Sequence, residues 1–252
     1  MTRRHYFIQG GGRGLGLALV ERLLARDERA QVIVAVRAPE SAEPLRRLIE
    51  REGEERVQIV ALDLTDESSI AAARRHVGEL TERLDLLMTC AGLLHDDSGL
   101  WPEKRLADID PANLARSFAV NATGPLLMTK HFHDLLTHGH RAVIASLSAR
   151  VGSISDNGRG GWYAYRASKA AQNQFTRTAA IELRRRSRQL ICVGLHPGTV
   201  DTSLSEPFQR NVPEKQLQTA ETAATHLLDV IGQLTPEDSG LLFDWAGNVI
   251  AP

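Results

Sequence analysis

The stretch Gln9-Gly10-Gly11-Gly12-Arg13-Gly14-Leu15-Gly16 decides how this 252-residue chain folds. It follows a short apolar run, Tyr6-Phe7-Ile8, and leads directly into a helical pattern through Leu17, Val20, Leu23 and Leu24. A strand that stops at glycines and turns at once into a helix needs those glycines for steric reasons. One permits the tight turn, one lets backbone approach a bound group, and one lets the helix pack close to the strand. The helix then offers unpaired N–H groups and the positive end of its dipole, which suit phosphate. This placement marks a dinucleotide loop rather than an ordinary flexible turn.

Outward from the loop, strand-like and helix-like segments alternate. Apolar, β-branched runs at 31–36, 57–62, 84–89, 142–145, 190–195 and 241–243 read as strands. Helical patterns fall between them: 43–52, a helix capped by Asp66 and running to Leu80, 111–136 with a bend expected at Pro125, 163–186, and 221–231. Repeated strand–helix–strand units dictate right-handed crossovers and a parallel sheet. The expected fold is therefore α/β: one doubly wound Rossmann-type domain over residues 1–252, with roughly seven parallel strands and helices on both faces. No linker, repeat or low-complexity tract divides it. In such a sheet, ligands bind beyond the carboxyl ends of the strands, so the residues just after each strand are the ones to inspect.

Composition excludes several roles. The net charge is −1, with 30 basic residues against 31 acidic ones, both signs scattered, so no nucleic-acid partner is expected. The densest basic run, Arg184-Arg185-Arg186-Ser187-Arg188, closes a helical stretch, where cations suit the negative end of the macrodipole. The two cysteines, Cys90 and Cys192, lie in apolar runs and read as buried thiols; a disulfide requires their strands to be neighbours. The segment from Met1 to His5 is too short for a signal-peptide core, and no apolar run has membrane-spanning length, so a cytoplasmic location is expected. No metal site is expected.

The glycine spacing is G-x-x-x-G-x-G, from Gly10 through Gly14 to Gly16 with Leu15 between. This resembles the short-chain dehydrogenase/reductase superfamily, whose members carry T-G-x-x-x-G-x-G here. Gln9 stands in place of the threonine, a departure expected to loosen the turn without removing a phosphate ligand. An acidic residue after the second strand favours NAD, and a cation there favours NADP. This strand ends Val36-Arg37-Ala38, with no carboxylate until Glu40. Arg37 and Arg13 together point to NADPH over NADH. The resemblance also implies that Asp63, with Leu64 beside it, meets the adenine. Ala91-Gly92 match the end of the family's N-N-A-G motif, with Thr89-Cys90 replacing both asparagines. Pro197-Gly198 and Val200, after the sixth strand, match the segment whose backbone contacts the nicotinamide. His196, just before it, reads as a packing residue.

Tyr165-Arg166-Ala167-Ser168-Lys169 places a phenol and an ammonium on one helical face. A phenol normally titrates near pH 10, and an adjacent ammonium is expected to lower that value. The family pairs these residues with a serine after the fifth strand. Ser148 fits by position and Ser146 is its rival. Asn121, in Val120-Asn121-Ala122-Thr123-Gly124, matches the asparagine that kinks the fourth helix and holds a proton-relay water.

The resemblance spans positions 8–250, and within it Leu147 to Gly152 and Gly160-Gly161-Trp162-Tyr163 resemble the branch of C-factor-like and sniffer-like carbonyl reductases. It implies hydride transfer from NADPH to a small-molecule aldehyde or ketone, with Tyr165 as general acid. It also implies a homodimer or homotetramer built through long helices. An NADPH-binding signalling protein with little turnover is the alternative, and an epimerase or dehydratase of the extended branch ranks last. The segments 93–101, 153–162 and 202–213, carrying Trp162, Leu204 and Phe208, are expected to line the substrate pocket.

Overall fold

A computed structural model describes residues 3–213 and 216–252; Met1 and Thr2 of the N-terminal segment lie outside the described residues. The chain runs β1 (Arg4–Gln9), α1 (Gly14–Arg26), β2 (Ala30–Val36), α2 (Glu43–Glu52), β3 (Val57–Ala61), α3 (Glu67–Leu80) and β4 (Leu86–Thr89). It continues through α4 (Pro111–Phe118), α5 (Gly124–Phe132), β5 (Ala142–Leu147), α6 (Tyr163–Leu183), β6 (Leu190–His196), β7 (Thr199–Val200), β8 (Leu217–Gln218), α7 (Ala220–Gln233) and β9 (Leu242–Asp244). Seven strands form one sheet in the order β3-β2-β1-β4-β5-β6-β9, every neighbouring pair parallel. This is the doubly wound Rossmann-type α/β fold that the alternation predicts.

Alternation along each strand divides the core between the two faces. Ile8, Val32, Val34, Met88 and Val143 point to the side covered by Leu19 of α1, Leu45 of α2 and Leu227 of α7. Phe7, Ile33, Leu87 and Ile144 point to the side covered by Ile70 of α3, Phe132 of α5 and Leu183 of α6. Full burial of each such side chain contributes about 1.5–3 kcal/mol, which is why these strands are apolar on both faces. The strand order reverses between β1 and β4, and the crevice that opens there is the expected ligand position.

The sequence expectations change at one strand end and within the long helix. The strand expected to start at residue 84 begins at Leu86, because Leu84 N–H donates to Leu135 O, at the end of a helical turn, rather than to the sheet. The helix expected over 111–136 is broken by a π-helical segment at Ala119–Thr123, centred on Asn121. Pro125 sits in the first turn of α5, where its ring fits, and does not itself mark the irregular turn. The cysteines are both free, and β5 separates β4 from β6, so the strand adjacency that a disulfide needs is absent. Among the described residues, no helix is long and apolar enough to cross a membrane.

Candidate active site

The glycine loop closes against the neighbouring strand. Gly10 has φ +80°, and a Cβ there would lie 2.9 Å from Ala91 N. A Cβ on Gly16 would lie 2.2 Å from Gly10 O, so α1 can leave β1 this steeply only without a side chain at residue 16. Gln9 does the opposite of loosening this turn. It is buried, its Oε1 accepts from Ala91 N at 3.2 Å, and its backbone O accepts from Cys90 N at 2.9 Å. The glutamine of β1 thus ties down the end of β4, where Thr89 and Cys90 replace the family's asparagines.

The N-terminus of α1 has no side-chain cap. Its first N–H groups therefore remain able to bind an anion at the crevice. Arg13 and Arg37 are both exposed at the ends of the loop and of β2, with no acidic partner among the described residues. This lip of the crevice can take a phosphate. Asp63, after β3, accepts from Thr65 N and Thr65 Oγ1 through Oδ1, which leaves its other oxygen available. Leu64 is buried, with its Cβ 3.1 Å from the position a Cβ on Gly124 would take. On the opposite wall, Gly198 has φ +78° and Gln218 Nε2 donates to Pro197 O at 3.1 Å. Val200 is buried in the short β7–β8 ladder. Thr202 Cγ2 lies 3.3 Å from where a Cβ on Gly14 would stand, so the two walls meet over the loop.

On the floor, Tyr165, Lys169, Gln172 and Asn173 follow one another down a single face of α6. Lys169 is 3% exposed; its Nζ donates to Leu147 O and to Gln172 Oε1, both at 2.8 Å. Nζ lies 5.9 Å from the centroid of the Tyr165 ring. The expected lowering of the phenol is reversed. Burial pushes Tyr165 up to about 12 and Lys169 down to about 7, although part of the tyrosine surface remains accessible. Desolvation disfavours both charged forms, and the ammonium is engaged with carbonyls instead of the phenol. Tyr165 is therefore held as a protonated acid.

Ser148 Oγ donates to Asn173 Oδ1 at 2.6 Å, just beyond β5. Ser146 instead borders a gap between α5 and α6, together with Ala122, Pro125, Phe175 and Thr176. Asn121 is fully buried in the π-helical segment. Its Oδ1 accepts from Leu93 N at 2.7 Å, and its Nδ2 donates to Leu93 O at 2.8 Å and to Ser168 Oγ at 3.1 Å. A Cβ on Gly92 would lie 3.6 Å from Asn121 Oδ1 and 4.0 Å from Lys169 Nζ, which puts both groups beside the end of β4. Pro125 has no N–H to donate to the carbonyl four residues back, which belongs to Asn121. His196 Nδ1 is buried without a partner among the described residues, and burial lowers its pKa to about 4, so it stays neutral.

The three loops expected to line the pocket converge on an aromatic cluster. His95 stacks on Trp101 with centroids 5.2 Å apart, Phe208 meets Trp162 edge-on at 5.0 Å, and Trp162 meets Tyr165 at 6.2 Å. Trp162 itself has φ +53°, following Gly160 and Gly161, also in left-handed conformations. Its cost, on the order of 1 kcal/mol, is met by Glu103, whose backbone O accepts from Trp162 N at 2.6 Å. The Glu103 carboxylate also accepts from Ala164 N at 3.1 Å, at the positive end of α6. Glu103, Gln172 and Asn173 escape a motif-based reading. The last two are detectable as polar residues seven and eight positions beyond Tyr165, on the same buried helical face.

Fold and crevice together define a Rossmann-type α/β protein with a tyrosine–lysine pair on its floor. The family model for short chain dehydrogenase matches residues 4–213, and the chain belongs to that family. It is 38% identical over 170 residues to C-signal of Myxococcus xanthus, covering 68% of this chain and 93% of C-signal. The carbonyl reductase from chicken fatty liver, solved with NADPH bound, superposes over the full length of both chains with a TM-score of 0.88 and 29% identity. The carbonyl reductase Sniffer of D. melanogaster shares the fold over both full lengths, with a TM-score of 0.87 and 24% identity.

Proposed function

We propose that this chain is an NADPH-dependent reductase that converts an aldehyde or ketone to an alcohol. The observation that carries the reading is the arrangement on α6: Lys169 Nζ lies 5.9 Å from the centroid of the Tyr165 ring and is anchored at Leu147 O, the residue before Ser148. The likeness to a carbonyl reductase solved with NADPH supports it.

In this reading Gly10, Gly14, Leu15 and Gly16 hold the pyrophosphate, and Arg13 and Arg37 hold the 2′-phosphate. Asp63 and Leu64 hold the adenine, Ala91 and Gly92 flank the ribose, and Pro197, Gly198 and Val200 face the nicotinamide. Bound NADPH supplies the hydride. Ser148 and Tyr165 orient the substrate oxygen, and the Tyr165 hydroxyl gives its proton to that oxygen as negative charge develops there. Lys169 holds the ribose with the N–H it has left, and the Asn121 region supplies the path by which Tyr165 regains its proton. The pocket over this site is aromatic, formed by Trp101, Trp162 and Phe208.

The test is oxidation of NADPH and NADH by the purified chain across a panel of aldehydes, ketones and quinones. Turnover with NADPH and at least one carbonyl supports the proposal. Consumption of neither cofactor would favour the second reading, an NADPH-binding signalling protein with little turnover, to which the likeness to C-signal points.

A further inference from the structure

Gln172 is 1% exposed and borders a gap beside α6 that Phe175, Ile144 and Val193 also line. Burying an amide there is costly unless its hydrogen bonds are made. They are made in a closed triangle. Gln172 Oε1 accepts from Lys169 Nζ at 2.8 Å, Gln172 Nε2 donates to Leu147 O at 3.2 Å, and the same Leu147 O accepts from Lys169 Nζ at 2.8 Å. The chemistry of the partners fixes which way the amide points. An ammonium can only donate and a carbonyl can only accept, so the oxygen must face Lys169 and the nitrogen must face Leu147. Of the three ammonium N–H groups, two are thereby directed into the protein, leaving one for the crevice.

We propose that Gln172 is a positioning residue for Lys169, supporting its charged form and fixing the direction of its one remaining N–H. Without Gln172, the ammonium would keep a single carbonyl partner in a site that already disfavours its charge. Among the described residues, the other groups around Lys169 supply no compensating charge. Tyr165, from the same helix, is a neutral phenol. Asn121, from the π-helical segment, is uncharged, and Gly92 and Gly152 present no side chain. Arg150, in the turn after β5, is paired with Asp156 and Asp244. The kinetic consequence rests on the reductase reading above; the effect on Lys169 does not.

The experiment reads Lys169 directly. The chain has only four lysines, so labelling with lysine carrying carbon-13 at Cε gives few resonances, and a Lys169→Met variant identifies the one that belongs to Lys169. In the cofactor-free protein Gln172→Met, similar in length but without the acceptor, should lower the Lys169 midpoint by about one pH unit, the worth of one hydrogen bond to a charged group. Gln172→Glu should raise it by at least as much. In the active enzyme, the alkaline limb of kcat/KM against pH should move in the same two directions. Gln172→Asn, whose amide is withdrawn by one methylene, should behave like the methionine variant and replaces it if that variant does not fold. A Lys169 midpoint that is the same in wild type and in these variants overturns the proposal. If no carbonyl is reduced but the midpoint moves as stated, the reductase reading fails and the role of Gln172 stands. If turnover is present but the midpoint does not move, the reverse holds.

Discussion

Ser148 Oγ donates to Asn173 Oδ1 across 2.6 Å, and Asn173 Nδ2 is buried without a hydrogen-bond partner among the described residues. The bond fixes the serine hydroxyl at the end of β5, with its lone pairs free to accept. Asn173 sits against Gly152, where an added Cβ would lie 3.0 Å from Asn173 Nδ2, so it has little freedom to turn. Asn173→Ala should lower kcat/KM roughly tenfold, the effect of leaving a buried hydroxyl without its acceptor, and should leave NADPH affinity unchanged. Steady-state kinetics and a fluorescence titration with NADPH check both halves.

In the proposed mechanism, Tyr165→Phe removes the proton donor and little else. Turnover should fall by about a hundredfold or more, the usual range for a general acid, while NADPH still binds. Wild-type turnover in this variant would show that the proton comes from elsewhere.

In the proposed reading, Arg37 and Arg13 set the preference between cofactors. Arg37→Ala should weaken NADPH by roughly tenfold or more, the worth of a charge-assisted hydrogen bond, with little change for NADH. The ratio of kcat/KM for the two cofactors in Arg37→Ala, Arg13→Ala and the double variant measures this. Equal losses for both cofactors would place these arginines away from the 2′-phosphate.

Lys169 should cost the fold stability. Burial lowers its pKa to about 7, far below that of an unfolded lysine. Between those two values the unfolded chain binds a proton that the native protein does not, so stability should rise with pH through that window. Below about 7 the full penalty applies, on the order of a few kcal/mol. Lys169→Met should therefore melt higher than wild type at pH 6 and lose this part of the pH dependence, while losing activity. Thermal unfolding between pH 6 and 9 decides it, and a lower melting temperature for Lys169→Met at pH 6 would contradict the account.

The sheet was legible because its strands are buried on both faces. Runs such as Val32 to Val36 are apolar throughout, and glycines mark where the first strand ends. Nothing local signals that Leu84 leaves the sheet for a carbonyl at the end of a helix, which is a tertiary contact. The break in the long helix was read at Pro125, the residue that cannot donate. The structure places the irregular turn upstream of it, around Asn121, whose carbonyl that proline cannot serve. Candidate site residues have a fixed place after a strand or on one helix turn, as Gly10, Ser148, Tyr165 and Lys169 do, and such places can be read from the sequence one by one. Residues that act through a neighbour cannot. Gln9, Gln172 and Asn173 owe their meaning to partners 82, 25 and 25 positions away, at Ala91, Leu147 and Ser148. The titration of Tyr165 is not legible in the sequence either, because spacing shows the nearby ammonium but not the burial that outweighs it.

The central claim is spatial, and a crystal structure of the NADP complex tests it most directly. The account predicts the pyrophosphate against the N–H groups of Gly14, Leu15 and Gly16, with the nicotinamide ribose within hydrogen-bond reach of Lys169 and the Tyr165 hydroxyl facing the nicotinamide ring. A bound cofactor whose nicotinamide lies away from α6, with Tyr165 and Lys169 turned from it, would contradict the account.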